Sequence, residues 1–503
     1  MTLPSPGKTE WPPPAVKTAD ARYRVLSAWY GGDPDVLERT YDGGSASQLD
    51  LKYRGAQYRG GLVGTVARWF WGAPPPAGET RTKYHIPAAS DLATLSADLL
   101  FSEPPKITFE DRGTQDRIDS IIDRTGTHAS LIEGAEVAAA LGDVFLSVAW
   151  DTTVRDSPWI RVIHGDSVVP SWRSGVLVGA TIWTILEQAT DGTVWRHLEC
   201  HTPGLIEHGL YAGTGSTLGR LADLGERPET EHLTAEAATG IDRLLVWHVP
   251  NMRPLREDRG SLLGRSDFGP ATLGIMDGLD EMWTSLQREF RLAKARAVVT
   301  EDAVRPLGPG KGVRADIDRE IFVPIKVNPD HVSDPVRLIQ PLLRVEEHAR
   351  ACTLAFEVAC RSAGYSASSF GGSSSASVAL TATEARQREV SSYRTRDKKA
   401  LYWSAALRGA LAGLVDADRA VFGSRVTPGE PVVELGDAVV ESTDTIAQTL
   451  AQLAQARSAS VESRVRILHP SWDDQMVAEE VGRIHVEEGI GPVPDPEQAV
   501  REP

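Results

Sequence analysis

The stretch from Asp334 to Leu414 constrains this chain most, because it reads as a helix, a glycine- and serine-rich loop and a second helix. The first helix is expected to begin at Asp334 and Pro335, since proline is tolerated in a first turn, where its missing N–H is not needed. Its apolar positions, Leu338, Leu342, Val345, Ala349, Cys352, Phe356 and Ala359, alternate four and three apart, the spacing of a seam between packed helices. An ordinary amphipathic helix in a globular core fits the same pattern. Glu346 with Arg350, and Glu357 with Arg361, add pairs four apart on other faces. Ser366 to Ser377 is too small and polar to bury a face, and mobility is expected there. Thr381, three residues before Glu384, reads as a capping box opening the second helix. Val390, Tyr393, Leu401, Leu407, Leu411 and Leu414 form its apolar side. Between them Arg386, Arg388, Arg394, Arg396, Lys398 and Lys399 make a positive cluster. A solvated face is the ordinary meaning of such a run, and anion binding is the sharper one.

That cluster stands out because the whole chain of 503 residues carries a formal charge of -16. Wrapping nucleic acid by net attraction needs clustered Lys and Arg, so an open binding surface is disfavoured. A channel is not, since acidic walls let a duplex slide without sticking. With 41% hydrophobic and 24% charged residues, the composition excludes disorder of the whole. Three cysteines, Cys200, Cys352 and Cys360, cannot build a disulfide framework and suggest a reducing compartment. The first residues lack the apolar core of a signal peptide. The best candidate membrane span, Ala135 to Trp150, is broken by Gly142 and Asp143, so no membrane association is expected and the chain reads as cytoplasmic when made.

Residues 1–20, with Pro12, Pro13 and Pro14, read as an extended, loosely held arm. Helical patterns follow at Ala21 to Leu37, Pro87 to Phe101 and Arg117 to Leu141, and the aromatic cluster Trp69, Phe70 and Trp71 reads as core packing. Lys106 to Glu110, Val144 to Trp150, Trp159 to His164, Val176 to Glu187, Val194 to His201 and Leu244 to Pro250 read as strands. Helices followed by a run of strands imply α+β and not a doubly wound sheet. Ser266 to Ala293 is a long helical pattern opening at Pro270; Ala297 to Thr300 and Ile321 to Val327 are strand-like. Ser442 to Ser460 and Asp473 to Glu488 are again helical.

Catalytic chemistry finds little support. No Gly-x-x-x-x-Gly-Lys-Ser/Thr occurs, so ATP hydrolysis by a phosphate-binding loop is not expected. The segment from Gly213 to Gly219 lacks the glycine spacing and strand-to-helix setting of a dinucleotide site. His197, Cys200 and His201 lie in a predicted strand, where neighbours alternate faces, and a structural role is preferred over a metal site. We expect no enzyme activity, no cofactor and no metal. A hydrolase or transferase of unrecognised class is kept as an alternative, as is a structural capsid or tail subunit without a channel.

Several segments, scattered through the chain in order, together resemble the portal proteins of tailed bacteriophages, of siphovirus type and from phages of actinobacterial hosts. They are Tyr84-His-Ile-Pro-Ala-Ala-Ser-Asp-Leu-Ala with Leu99-Leu-Phe-Ser-Glu-Pro-Pro; Val249-Pro-Asn-Met-Arg-Pro with Gly264-Arg-Ser-Asp-Phe-Gly; Ala363-Gly-Tyr-Ser; Leu380-Thr-Ala-Thr-Glu-Ala-Arg; and Tyr393-Arg-Thr-Arg-Asp-Lys-Lys. The resemblance implies an α+β portal fold. It would comprise an N-terminal arm (1–20), a wing (21–265), a stem helix (266–293), a small α/β clip (294–333), a second stem helix (334–365), a tunnel loop (366–379), a wing helix (380–415) and a helical crown with a tail (416–503). It implies a homo-oligomeric ring, usually of twelve subunits, at one capsid vertex, through which double-stranded DNA passes non-specifically during packaging and ejection. The implied protein partners are the terminase large subunit, the scaffolding and major capsid proteins, and a head-completion or adaptor protein. The implied tunnel loop is Ser368, Ser369, Phe370, Gly371, Gly372, Ser373, Ser374 and Ser375. It carries no charge, so contact with DNA would be steric, with Arg386 and Arg388 as candidate backbone contacts. Arg305, Lys311 and Arg314 are the candidate docking charges of the clip.

Overall fold

The computed structural model describes residues 2–42, 70–71, 82–293, 296–300, 322–325, 336–339, 343–370, 382–436, 450–456, 458–469, 472 and 474–487. Its packing divides the chain into one unit of residues 1–378 and 387–436 and another of residues 379–386 and 437–503.

In the first unit, β1 (Gly7–Glu10) precedes α1 (Lys17–Gly31) and α2 (Pro34–Asp42), which are followed by α3 (Ala88–Phe101) and β2 (Lys106–Thr108). The helical pattern over 117–141 is two helices, α4 (Arg112–Thr125) and α5 (Thr127–Leu141). Gly126 separates them at φ +65°, a conformation that glycine adopts without steric cost. Asp111 caps α4 by accepting from the Thr114 N–H at 2.8 Å. Then come β3 (Asp143–Ala149), β4 (Trp159–His164), β5 (Val168–Arg173), β6 (Val176–Gln188), β7 (Val194–Thr202), β8 (Leu205–Thr214), β9 (Thr217–Ala222), β10 (Glu236–Ala238) and β11 (Val246–Pro250). An antiparallel sheet runs in the order β1-β9-β8-β7-β6-β5, with β10 on β8, and a second sheet runs β11-β3-β4. Antiparallel strands segregated from helices make the fold α+β, as the order of patterns implies. Gly213 to Gly219 is part of the β8–β9 hairpin, where Thr214 pairs with Thr217.

The N-terminal arm is not loosely held. β1 pairs with β9, Trp11 is buried among Val169, Leu198, Tyr211 and Leu218, and the Tyr211 hydroxyl donates to the Pro4 carbonyl at 2.6 Å. The proline run hid a short strand anchored by one aromatic side chain. Residues 17–20 already belong to α1.

The long helices are α6 (Pro270–Leu292), α7 (Val345–Ala363) and α8 (Ala382–Phe422). Pro270 opens α6, as expected. The helix expected from Asp334 starts only at Val345, and Val336–Ile339 is a strand, β14, paired with β12 (Arg296–Thr300), which also pairs in parallel with β13 (Phe322–Ile325). Pro341 supplies the reason: inside a helix it would remove a hydrogen bond and clash with the preceding turn. The four-three seam is therefore accidental at Leu338, which belongs to a sheet, and Leu342 lies outside the described residues.

α8 runs past the expected end at 415 to Phe422, and Gly423 stops it at φ +65°. Gly409 and Gly413 seat the Trp247 indole, since a Cβ on either would lie 2.4 Å from that ring. Beyond α8, β15 (Val432–Glu434) returns to pair with β2. Residues 416–436 thus lie in the first unit, where β2 offers them a backbone partner. The largest core lies among α1, α3, α5 and α8, where Trp403 is wholly buried and meets Phe101 edge-to-face at 5.0 Å. In the second unit, residues 450–455 are helical, as are α9 (Val461–Leu468) and α10 (Asp474–Glu487). Among the described residues no helix is long and apolar enough to cross a membrane.

Candidate functional site

Four of the segments that carry the resemblance, those holding Asn251, Asp267, Tyr365 and Lys399, lie far apart in sequence yet meet in one buried polar cluster. Lys399 on α8 donates to Asp267 Oδ2 at 2.6 Å, to Ser96 Oγ of α3 at 2.6 Å and to the Tyr365 hydroxyl at 2.7 Å. The Tyr365 hydroxyl donates to Asp267 Oδ2 at 2.7 Å, and Asn251 Nδ2 donates to Oδ1 at 2.8 Å. An ammonium has three N–H donors, and all three are used. All five residues are essentially inaccessible to solvent. Burial pushes the Lys399 ammonium below the usual lysine range while the Asp267 charge opposes it, and burial with that same charge holds the Tyr365 hydroxyl well above the usual tyrosine range. Superficially this is a Ser-Lys-Tyr set that could activate a nucleophile. With its donors committed, Lys399 instead ties the end of α7, the start of α6, α3 and α8 into one body.

A second hub is Asp143, at the break between α5 and β3. Its carboxylate accepts from the Tyr23 hydroxyl at 2.8 Å and the Gly264 N–H at 2.6 Å, lies 2.7 Å from His248 Nε2, and pairs with Arg22. Gly142, at φ +102°, makes the turn possible, and a Cβ there would sit 2.9 Å from the backbone of Arg265 and Ser266. The interruption that disqualified this stretch as a membrane span is thus the knot that fixes the Gly264 to Gly269 segment beside α6.

The segment Tyr84-His-Ile-Pro is read by polar groups of α6. Tyr84 N–H donates to Thr284 Oγ1 at 3.0 Å, Ile86 N–H donates to Asp280 Oδ1 at 2.8 Å, and His85 Nδ1 lies 2.7 Å from Asp280 Oδ2. One turn away, Asp277 accepts from the Phe70 N–H at 2.8 Å. Burial nevertheless pushes the Asp277 carboxyl up to about 7. Phe70 and Trp71 are buried, in keeping with the core-packing expectation for that cluster.

α6 and α7 lie antiparallel against each other. Thr272 Oγ1 meets Ser362 Oγ at 2.8 Å at one end, and at the other Glu289 lies 3.2 Å from His348 and pairs with Arg344. Near the cluster the pair is packed: Ala359, Cys360 and Ala363 are buried. Toward the other end Val345 and Leu354 are exposed, Leu354 by 62%. The chain between the two helices contains the sheet β13-β12-β14.

Of the implied tunnel loop, Ser368, Ser369 and Phe370 lie in a 3-10 turn over Ala367–Phe370. Phe370 is half-buried against Phe356 of α7 at 5.2 Å, edge-to-face, and Ser369 Oγ meets Ser392 Oγ at 2.9 Å. The other five, Gly371, Gly372, Ser373, Ser374 and Ser375, lie outside the described residues, as do Arg305, Lys311 and Arg314. Arg386 and Arg388 are on the backbone of α8. The positive cluster divides: Arg396, which donates to the Leu99 carbonyl at 3.3 Å, and Lys399 are buried, whereas Arg394 and Lys398 face solvent. On β7, His197 Nε2 lies 3.1 Å from His208 Nδ1, and His201 lies 3.2 Å from Glu199. Burial pushes His208 down to about 4 and lowers His197, which favours the neutral form of both rings. Among the described residues no group of three or more His, Cys, Asp or Glu side chains is placed to hold a metal ion. Sequence reasoning passed over Ser96, Asn251, Asp267 and Tyr365 as individuals. Polar residues inside otherwise apolar, turn-rich segments were the available signal.

No family model matches the chain, and no curated protein matches it. Among solved structures, it is similar to a chain from the virion of a native gene transfer agent particle, at 14% identity and a TM-score of 0.39, covering 81% of this chain and 99% of that one. It is also similar to a chain from the neck of the native particle computed with C12 symmetry (13% identity, TM-score 0.39, 76% and 89% covered). A third is from the neck of the empty particle computed with C6 symmetry (14%, 0.40, 76% and 90%).

Proposed function

We propose that this chain is the subunit of a portal ring at one capsid vertex, the channel for double-stranded DNA and the platform for the packaging motor and the head-completion protein. The observation that carries the reading is the antiparallel pair α6–α7, rooted in the buried Lys399–Asp267 cluster and bracketing the small β13-β12-β14 sheet. A stem needs such a pair: fixed at its root, bare along its far end, with a separate structure at the tip. The bare end exposes Val345 and Leu354, apolar surface that the described part of one chain leaves to water and that side-by-side packing would cover. In this reading Arg305, Lys311 and Arg314, between β12 and β13 in sequence, serve docking. Terminase, scaffold, major capsid protein and adaptor are its partners, and the ring has twelve subunits. Gly371 to Ser375 serve as the loop toward the DNA, with Ser368, Ser369 and Phe370 in the packed turn that precedes it.

Deleting Gly371 to Ser375 tests this. Packaging of DNA into proheads, or its retention, should fail while ring formation and prohead incorporation stay normal. Undiminished packaging by that variant would remove the channel role from the loop and leave a structural capsid or tail subunit as the better reading.

A further inference from the structure

Two exposed helical surfaces of the first unit oppose each other in charge, each around an apolar centre. On α8, the exposed residues Ser391, Arg394, Lys398, Leu401, Ala405 and Arg408 recur three and four apart, forming one stripe on the side turned away from Lys399. Leu401 is 72% exposed in the middle of it. Asp397 flanks the stripe and is engaged by Arg396 at 3.1 Å. The second surface is a groove of about 860 Å³ between α3 and α7. Its rim carries Asp91, Asp98 and Glu357, and its floor is Leu95, Phe356 and Phe370. Asp91 and Asp98 flank Leu95 within about 10 Å of α3, and Lys398 and Arg408 flank Leu401 within about 15 Å of α8, a difference that the long arginine side chain spans. None of Asp91, Asp98, Glu357, Arg394, Lys398 and Arg408 has an ion-pair partner among the described residues. Partial burial already raises the Asp91 and Asp98 carboxyls, a cost that a nearby cation would offset.

We infer that the basic stripe of α8 in one subunit docks into the acidic groove between α3 and α7 of the next copy of this chain, Leu401 entering over Leu95, Phe356 and Phe370 while Lys398 and Arg408, on either side of it, meet Asp91 and Asp98. The inference rests on the ring reading and adds the contact that closes it. The two surfaces differ from each other, so the contact is heterologous and propagates from copy to copy, as a ring requires. The 3-10 turn carrying Phe370 then lies within the subunit contact, which couples the start of the loop to assembly.

Charge exchange in the full chain tests it, with mass by light scattering as the readout and circular dichroism as the check on folding. Like charges facing each other across a contact cost enough to weaken it roughly 100-fold or more. Asp91→Lys with Asp98→Lys should therefore give a folded monomer at micromolar concentration, and adding Lys398→Asp with Arg408→Asp should restore the wild-type mass. Assembly of the first variant at wild-type strength overturns the contact, as does a folded four-fold variant that stays monomeric. Those results leave the ring reading standing. A wild-type chain that is itself monomeric overturns both.

Discussion

Replacing Lys399 by Met keeps most of the side chain's volume and removes the ammonium. Asp267 then keeps the Asn251 amide and the Tyr365 hydroxyl but loses its only cationic partner among the described residues, 2.6 Å away, with no solvent to take over. Breaking a buried pair from one side costs about 3–5 kcal/mol, because the remaining charge is left uncompensated. The Ser96 hydroxyl and the Tyr365 oxygen each lose a donor as well, which places the expected loss toward the upper end. Urea unfolding followed by tryptophan fluorescence is a suitable assay, since Trp403 sits wholly buried on the same helix. Adding Asp267→Asn removes the stranded charge, so the double variant should be less destabilised than the sum of the singles, by about 1–3 kcal/mol. A loss under about 1 kcal/mol for Lys399→Met, or strict additivity in the cycle, would refute the claim that this pair holds the root of the helix pair together.

Three further expectations follow from other parts of the fold. The Asp277 carboxyl is raised from its usual 3.8 to about 7, so its contribution to stability is fully present below about pH 4 and is lost as the pH rises through 7. Asp277→Asn should remove roughly 2–4 kcal/mol of that dependence; equal melting shifts from pH 5 to pH 8 in wild type and variant would contradict this. Gly142→Ala forces a Cβ to within 2.9 Å of the Arg265 and Ser266 backbone at a φ of +102°, and should cost more than about 2 kcal/mol; an unchanged melting temperature would show that the Asp143 turn has slack. Trp11→Ala should release β1 from β9 at a cost of about 3 kcal/mol, seen as faster tryptic cleavage at Lys8 and Lys17 with the remaining unit intact, whereas wild-type cleavage rates would deny the anchor.

Where local pattern and tertiary demand agree, the fold was legible in the sequence. Periodic apolar residues placed α3 and α6, and alternation placed β4, β6 and β7 to within a residue or two. Misreadings came where one local signal masked another. The prolines near the N-terminus hid β1, whose stability comes from β9 and Trp11 rather than from its own four residues. The regular seam through Leu338 obscured Pro341, which ends any helix approaching from that side. β5, β8 and β9 went unseen because much of their hydrogen bonding is with partners that only the assembled sheet supplies. The buried cluster was legible only as motifs. Nothing local distinguishes Lys399, which is internal, from Lys398, which faces solvent, since that division depends on where Asp267 arrives, far away in sequence.

In the proposed function, copies of this chain close into a ring with an axial channel. Negative-stain imaging of the purified full-length chain, with the mass of the same sample measured by light scattering, tests it most directly. Closed rings with a stain-filled centre and a mass near twelve times the 54.5 kDa chain are expected. Monomers at micromolar concentration across several buffers, or assemblies without a central opening, would contradict it.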